Sequence, residues 1–238
     1  MTARTPTSPV DGSSAMPHRP VPGHRLLVAA AGTAVLLLAT ACGGTPPAEP
    51  PPLLARAQLA AGQANPMIAD GVVLGAGAAI FKTSGTGPTK LNSAAAEGTP
   101  ESFIDTGQFA GGALPAGVTV TEAQGLNALD KIREALETQG LSLENVTTMR
   151  VFLDNAPGSD RADYAGWNRA YRQYFANTNL TSGDTELVPM GTAAPAAPLL
   201  RNPARPTRFA LEVQSLPVAG WLVEVEVDAV YPPGVAPH

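Results

Sequence analysis

Residues 121–153 read TEAQGLNALDKIREALETQGLSLENVTTMRVFL. Apolar residues recur in the first half at helical spacing and predict one long amphipathic helix: Ala123, Leu126, Leu129, Ile132 and Leu136. Thr121 and Gln124 have the spacing of a capping box at the start of this helix, and Gly140 is placed to end it. A short turn then leads into residues 146–153, whose β-branched residues predict a strand.

A second helix and two more strands are predicted towards the C-terminus. Residues 160–175 carry an aromatic stripe, which predicts packing against a sheet rather than a ligand-stacking surface: Tyr164, Trp167, Tyr171, Tyr174 and Phe175. Residues 208–215 and 221–229 alternate apolar with polar side chains, for example Phe209 and Leu211 with Arg208. This alternation predicts strands with one buried and one polar face.

Towards the N-terminus, residues 72–84 form an apolar segment of small residues that predicts a further strand region. Two segments rich in Pro, Gly or Ala, near 88–117 and 180–206, are predicted to be long loops or insertions. The order strand, helix, strand, helix, strand, strand predicts an α/β fold: a single sheet layer with two helices on one face.

Composition and charge exclude several classes of protein. The chain has 238 residues with 15 Lys and Arg against 20 Asp and Glu, so no broad basic surface is available and no nucleic-acid partner is expected. The three histidines are His18, His24 and His238, and the single cysteine is Cys42. Residues 43–237 therefore supply no imidazole or thiolate, which excludes a Cys/His zinc site and a Ser-His-Asp triad there. We expect neither a metal nor an organic cofactor.

The N-terminal region has the features of an export signal. Residues 26–41 carry no charge and end in small residues before Cys42, which resembles a bacterial lipobox. We expect residues 1–42 to be a leader, with lipid attachment at Cys42 holding an extracytoplasmic protein to the cell membrane. An uncleaved anchor and a plain secretory leader are the alternatives, and Met16 is an alternative start.

The mature chain is expected to consist of a Pro-rich linker at 43–64, a domain at 65–232 and a tail at 233–238. Cleavage before Cys42 would leave 12 basic and 19 acidic residues, so the mature protein is more acidic than the whole chain.

Three ordered blocks of the chain resemble the RidA/YjgF family of reactive-intermediate (imine/enamine) deaminases. They are residues 122–155, residues 164–175 with the sequence YAGWNRAYRQYF, and residues 208–230. The resemblance covers about Ile68 to Val230. It implies a chorismate-mutase-like fold with a six-stranded mixed sheet and two helices, assembled as a homotrimer with sites in the clefts between subunits.

The resemblance implies that Arg208 binds the substrate carboxylate, because it stands nine residues before Pro217. Arg205, three residues earlier, is the rival for this role. A guanidinium can orient a carboxylate through two parallel hydrogen bonds, which a lysine cannot do. The alternative for Arg208 is a surface arginine paired with Glu212 or Glu226.

Other site residues are also carried over by the resemblance. Glu224 matches the glutamate that orients or activates the hydrolytic water, with a solvated strand face as the alternative. Asn168, Ser84 and Gly85 match positions that line the cleft, and Gly85 allows a close approach of the backbone. The alternative for Asn168 is a local hydrogen bond between helix and loop.

The chain departs from the family pattern at two positions. The tyrosine expected early in the domain falls near Gly71 and Val72, and the small thiol expected after the arginine is Ala210. The first departure bears on activity because a hydroxyl is lost.

The function implied is hydrolysis of small 2-imino or enamine acids to 2-keto acids and ammonia. The alternative is a non-catalytic trimer that binds a small carboxylate or a partner at the cell envelope. A third interpretation, RNA cleavage, follows a label given to some family members, and the acidic charge argues against it.

Overall fold

The computed structural model describes residues 54–237. The predicted leader, Cys42 and most of the predicted linker lie outside the described residues. Within them are six strands and two α-helices: β1 (Ala55–Gln58), β2 (Gly71–Leu74), β3 (Ile80–Lys82), α1 (Val120–Glu137), β4 (Val146–Leu153), α2 (Tyr164–Tyr174), β5 (Thr207–Glu212) and β6 (Val223–Val230). None of the helices in this part of the chain is long and apolar enough to span a membrane.

The strands form one four-stranded and one two-stranded sheet. The larger sheet has the order β3-β6-β4-β5, in which β4 and β5 are parallel and the other neighbours are antiparallel. The antiparallel pair β1–β2 forms the smaller sheet, and a bridge from Ala69 to Thr207 joins its end to the start of β5. The prediction of a mixed α/β fold with six strands and two helices is confirmed, with the strands divided between two sheets.

One face of the large sheet carries both helices and the core. Every second residue of β6 from Val223 and of β4 from Met149 is buried on that face, and α1 and α2 cover it with leucines and aromatic rings. The aromatic stripe of α2 packs in this core as predicted, with Trp167, Tyr171 and Phe175 almost fully buried.

The first helix starts two residues earlier than the sequence predicts. Thr119 is the N-cap, and its hydroxyl accepts a hydrogen bond from the backbone N–H of Glu122 at 3.1 Å. The predicted capping box at Thr121 is wrong, because Thr121 lies inside the first turn and is buried. Thr119 also donates a hydrogen bond to Asp163, the N-cap of α2, at 2.6 Å, so the two helix starts are joined.

The alternation along β5 is the reverse of the expected one. Arg208 is in register with the buried Met149 of β4, so it faces the helices, whereas Phe209 and Leu211 lie on the opposite face and are exposed. We call that opposite, helix-free side the open face of the sheet. The physical reason is that β5 is an edge strand, whose register follows its pairing with β4 rather than its own polarity.

Two predicted boundaries also differ. The apolar segment 72–84 is divided into β2 and β3 around residues 75–79, and β1 falls inside the predicted linker because it pairs with β2. The predicted loop 88–117 contains three short 3-10 helices, Pro100–Phe103, Thr106–Gln108 and Ala110–Gly112.

The segment 180–206 is tied to the end of α2 by the fully buried Asn177. Its amide donates hydrogen bonds to the carbonyls of Arg172 and Leu200 at 3.0 and 2.8 Å, and its Oδ1 accepts one from the backbone N–H of Asn202 at 2.7 Å. A buried amide with three partners joins the segment to the helix.

Replacing Asn177 by Ala (Asn177→Ala) leaves one buried and two partly buried backbone groups without their side-chain partner. We expect the free energy of unfolding to fall by about 2–3 kcal/mol, since each unmet buried group carries a desolvation penalty. Urea unfolding measures this, with Gln214→Ala at an exposed position as the control. A loss no larger than that of the control would contradict the role given to Asn177.

Candidate active site

Arg208 is held between β5 and α2. Its guanidinium lies over the ring of Tyr171, 4.2 Å from the centroid, and its Nη2 donates a hydrogen bond to Oδ1 of Asn168 at 2.7 Å. The cation–π contact and the amide fix the plane of the guanidinium. The structure thus places Asn168, which the resemblance assigns to the lining of the cleft, in contact with Arg208.

One end of the guanidinium has no acceptor. Nη1 of Arg208 is buried and makes no hydrogen bond to any described residue. Burial lowers the pKa of this arginine, and the group stays protonated at neutral pH. Burial also raises the pKa of the Tyr171 hydroxyl, which therefore remains neutral. A positively charged guanidinium with an N–H donor that lacks an acceptor is suited to an anionic ligand.

Arg205, the rival of Arg208, is used for structure. It is buried, and it donates hydrogen bonds to the carbonyls of Pro66 at 2.9 Å and Thr178 at 2.7 Å and to the side chain of Asn65. These bonds join the segment before β2 to the loop after α2. Since its donors are occupied by the protein itself, Arg205 is not placed to bind a substrate.

Glu224 and Gly85 are in contact on the open face. A Cβ atom added to Gly85 would overlap Oε1 of Glu224, so only glycine leaves room for the carboxylate. The segment is held against β6, because the backbone N–H of Thr86 donates to the carbonyl of Val225 at 2.8 Å. Ser84 precedes this contact and is exposed.

Glu224 differs from the other two acids on its side of β6. Arg150 forms ion pairs with Glu226 at 3.4 Å and with Asp228 at 2.9 Å, and Lys82 contacts both acids. Among the described residues Glu224 forms no ion pair, so the three acids are not one uniform solvated face.

The alternative partners of Arg208 are engaged elsewhere. Glu226 pairs with Arg150, as described, and Oε2 of Glu212 accepts a hydrogen bond from the backbone N–H of Ala162 at 2.9 Å. Arg208 forms no salt bridge among residues 54–237, so it is not a surface arginine in an ion pair.

The predicted site residues therefore form two separate groups within one chain. Arg208 and Asn168 lie on the helix side of the sheet, whereas Ser84, Gly85 and Glu224 lie with the open face. Register explains the division, because Glu224 pairs with Phe152, while Arg208 pairs with Met149 on the other side of the same strand.

Sequence reasoning missed two further features of the site. It assigned Tyr171 to the core alone, although this ring also supports Arg208. It also missed a cleft of about 250 Å³ that lies along α2 beside Asn168. The spacing of Asn168 and Tyr171, one helical turn apart, was the signal that could have joined the two side chains.

No group of three or more His, Cys, Asp or Glu residues suited to a metal occurs in residues 54–237.

Comparison with known proteins assigns the family. A family model described as Endoribonuclease L-PSP matches residues 106–231, more than half of the 238 residues. The chain belongs to the Endoribonuclease L-PSP family. The resemblance to the RidA/YjgF family stated from the sequence is thereby confirmed at the level of family. The region of the L-PSP match contains Asn168, Arg208 and Glu224, whereas Ser84 and Gly85 precede it.

Solved structures give further matches at low sequence identity. The YjgF gene product of E. coli is 22% identical, with 74% of this chain and 94% of that chain covered and a TM-score of 0.36. TdcF of E. coli with bound serine is 22% identical over 76% of this chain and 99% of that one, with a TM-score of 0.36. YyfB of Yersinia pestis, of the Rid protein family, is 17% identical over 75% and 100%, with a TM-score of 0.39. No curated protein matches the chain significantly.

Gly85→Ala tests the contact on the open face. We expect the new methyl group to displace the Glu224 carboxylate while the Arg208–Asn168 hydrogen bond is kept, because the overlap is with the end of a flexible side chain. The free energy of unfolding should change by less than about 1 kcal/mol for such a surface change. A crystal structure and urea unfolding measure both effects.

Gly77→Ala is the matched control, because a Cβ atom there has no neighbour within 4 Å. An unmoved Glu224 carboxylate in Gly85→Ala would contradict the proposed contact.

Proposed function

We propose that this protein hydrolyses small 2-imino or enamine acids to 2-keto acids and ammonia. The observation that carries the proposal is the Arg208 guanidinium, stacked on Tyr171, bonded to Asn168 and left with a buried N–H group that has no acceptor. Membership of the L-PSP (YjgF) family supports it.

The chemistry needs a carboxylate clamp and a positioned water molecule. Arg208 binds the substrate carboxylate, which fixes C2 of the imine near the water. Glu224 accepts a proton from the water as its oxygen attacks C2 and the C=N electron pair moves to nitrogen. Glu224 then returns the proton to nitrogen, which gives a carbinolamine. It next takes the proton of the C2 hydroxyl and passes it to the amino nitrogen, so that the C–N bond breaks, ammonia leaves with the electron pair of that bond, and the keto carbonyl forms.

An imine is already electrophilic, so the proposed reaction uses no metal or organic cofactor. An enamine enters the same route after a proton shifts to carbon, which gives the imine.

The proposal requires more than one copy of the chain. Arg208 and Glu224 lie on opposite sides of one sheet, so both can act on one substrate only if a second copy supplies the second residue. This agrees with the homotrimer and the intersubunit sites that the family resemblance implies. We further propose that Cys42 carries a lipid and that the protein acts outside the cytoplasm, attached to the membrane.

A second candidate is a trimer that binds a small carboxylate without turnover. The observation that favours it is the loss of the expected tyrosine, since Gly71 and Val72 lie in β2 and supply no hydroxyl group. Binding of a 2-keto acid with no hydrolysis of an imine would support this candidate.

Arg208→Lys tests the carboxylate clamp. Lysine keeps the charge but loses the planar pair of donors, so we expect kcat/KM to fall by roughly 100-fold while the fold and the oligomer persist. The assay couples the full-length protein to an amino-acid oxidase that releases 2-iminopropanoate and follows the loss of the imine.

Arg201→Lys is the matched control, since Arg201 is exposed and only donates to the carbonyl of Gly183. Unchanged turnover in Arg208→Lys would exclude the clamp. Cleavage of RNA by the wild type that is lost in Arg208→Lys would favour nuclease activity instead.

Glu224→Gln tests the water-activating group. We expect kcat to fall by about 100-fold or more, because general acid–base catalysis is lost, while the affinity for pyruvate changes little. Stopped-flow kinetics and calorimetry measure the two quantities.

Glu226→Gln, on the same face of the same strand, should keep its kcat because Glu226 already pairs with Arg150 and Lys82. An equal loss of kcat in both variants would show that the face, not Glu224, matters.

A further inference from the structure

The cleft beside α2 has an apolar lining. Met67, Leu187, Val188, Pro189 and the side chains of Arg169 and Arg172 line it, together with Asn168. Met67 and Leu187 are 47% and 60% exposed, which is high for large apolar side chains of a folded domain. The volume of the cleft, about 250 Å³, is large enough for a substrate side chain bigger than a methyl group.

The cleft adjoins the carboxylate clamp through two residues. Asn168, which lines it, accepts the hydrogen bond from Arg208. Tyr171, on which Arg208 stacks, donates a hydrogen bond to the carbonyl of Met67 at 2.8 Å. A substrate whose carboxylate is bound by Arg208 therefore has this cleft next to it.

The outer wall of the cleft is fixed in place. Val188 and Ala196 exchange two backbone hydrogen bonds at 2.8 and 3.0 Å. Gln173 of α2 donates to the carbonyl of Pro189 at 3.2 Å, and the backbone N–H of Gly191 donates to Oε1 of the buried Glu122 at 2.9 Å. The segment 180–206 thus presents its apolar residues without having to fold on binding.

The two arginines that line the cleft differ in their partners. Arg169 is neutralised by Glu122, with Nε and Nη2 both 2.8 Å from Oε2. Glu122 is fully buried, so its charge is not presented to a ligand. Nε of Arg172 is also buried and, like Nη1 of Arg208, has no hydrogen-bond partner among the described residues, so tighter binding of an acidic side chain is the competing outcome.

We propose that this cleft is the side-chain subsite and that the preferred substrates are 2-imino acids with large apolar side chains. The inference rests on the proposed function, since it takes Arg208 as the carboxylate clamp. It adds that Met67 and Leu187 determine specificity, by removing the substrate side chain from water.

Calorimetry with the full-length protein tests the subsite without depending on turnover. The probes are pyruvate, 4-methyl-2-oxopentanoate and 2-oxoglutarate, which share the 2-keto acid group and differ in the side chain. We expect 4-methyl-2-oxopentanoate to bind about tenfold more tightly than pyruvate, because three further carbon atoms are partly buried. It should also bind more tightly than 2-oxoglutarate.

Leu187→Gln should reduce that preference to about threefold or less and leave the affinity for pyruvate unchanged. Leu91→Gln is the matched control, because Leu91 is similarly exposed at 48% and lies outside the cleft. It should keep the full preference. Met67→Gln, at the other exposed apolar residue of the cleft, should act like Leu187→Gln.

Equal affinity for the three acids, tighter binding of 2-oxoglutarate, no binding of any acid, or a preference unaltered by Leu187→Gln would each overturn the subsite. The oxidase-coupled assay separates this from the proposed function. Selective binding of the large acid without imine turnover supports the subsite and overturns deamination. Turnover of 2-iminopropanoate with no preference in binding overturns only the subsite.

Discussion

The two-residue period of the central strands is the constraint on which the rest of the structure depends. Val223, Val225 and Val227 of β6 are fully buried under the helices, so Glu224 and its neighbours must face the other way. Because β4 pairs with both β5 and β6, the same alternation of faces applies to β5, and Arg208 must face the helices. A shift of one residue would expose the core, so the two groups of site residues cannot be brought to one face within a chain.

Three buried polar residues connect distant segments of the chain to the sheet and its helices. Glu122, Asn177 and Arg205 each bind backbone groups of a segment far away in the sequence. Removing any of these side chains would leave a buried or partly buried backbone group without its hydrogen-bond partner. The desolvation penalty of that group would lower the free energy of unfolding. The segment 180–206 is therefore an ordered part of the domain, and it forms a wall of the cleft beside Asn168.

Much of the core could be predicted from local pattern, whereas Asn168 was assigned to the site through the family resemblance. The strand at 146–153 agrees with β4, the aromatic stripe of α2 is buried as expected, and Asn168 lies beside Arg208. The prediction failed where a distant partner decides the outcome. Thr119 rather than Thr121 caps α1, and this choice is coupled to Asp163 at the start of α2.

The sequence by itself determined both helices, the strand at 146–153 and, through the resemblance, the family, because helical and strand periods and ordered sequence blocks are local properties. Only the tertiary structure decided which arginine is available. Arg205 and Arg208 are three residues apart and chemically identical, yet Arg205 is occupied by acceptors at Pro66 and Thr178, while Arg208 keeps an unmet donor. The tertiary structure also decided which residues of β5 face the helices and brought Met67 and Leu187 to one cleft. The groups that meet at these places are far apart in the chain and come together only when it folds.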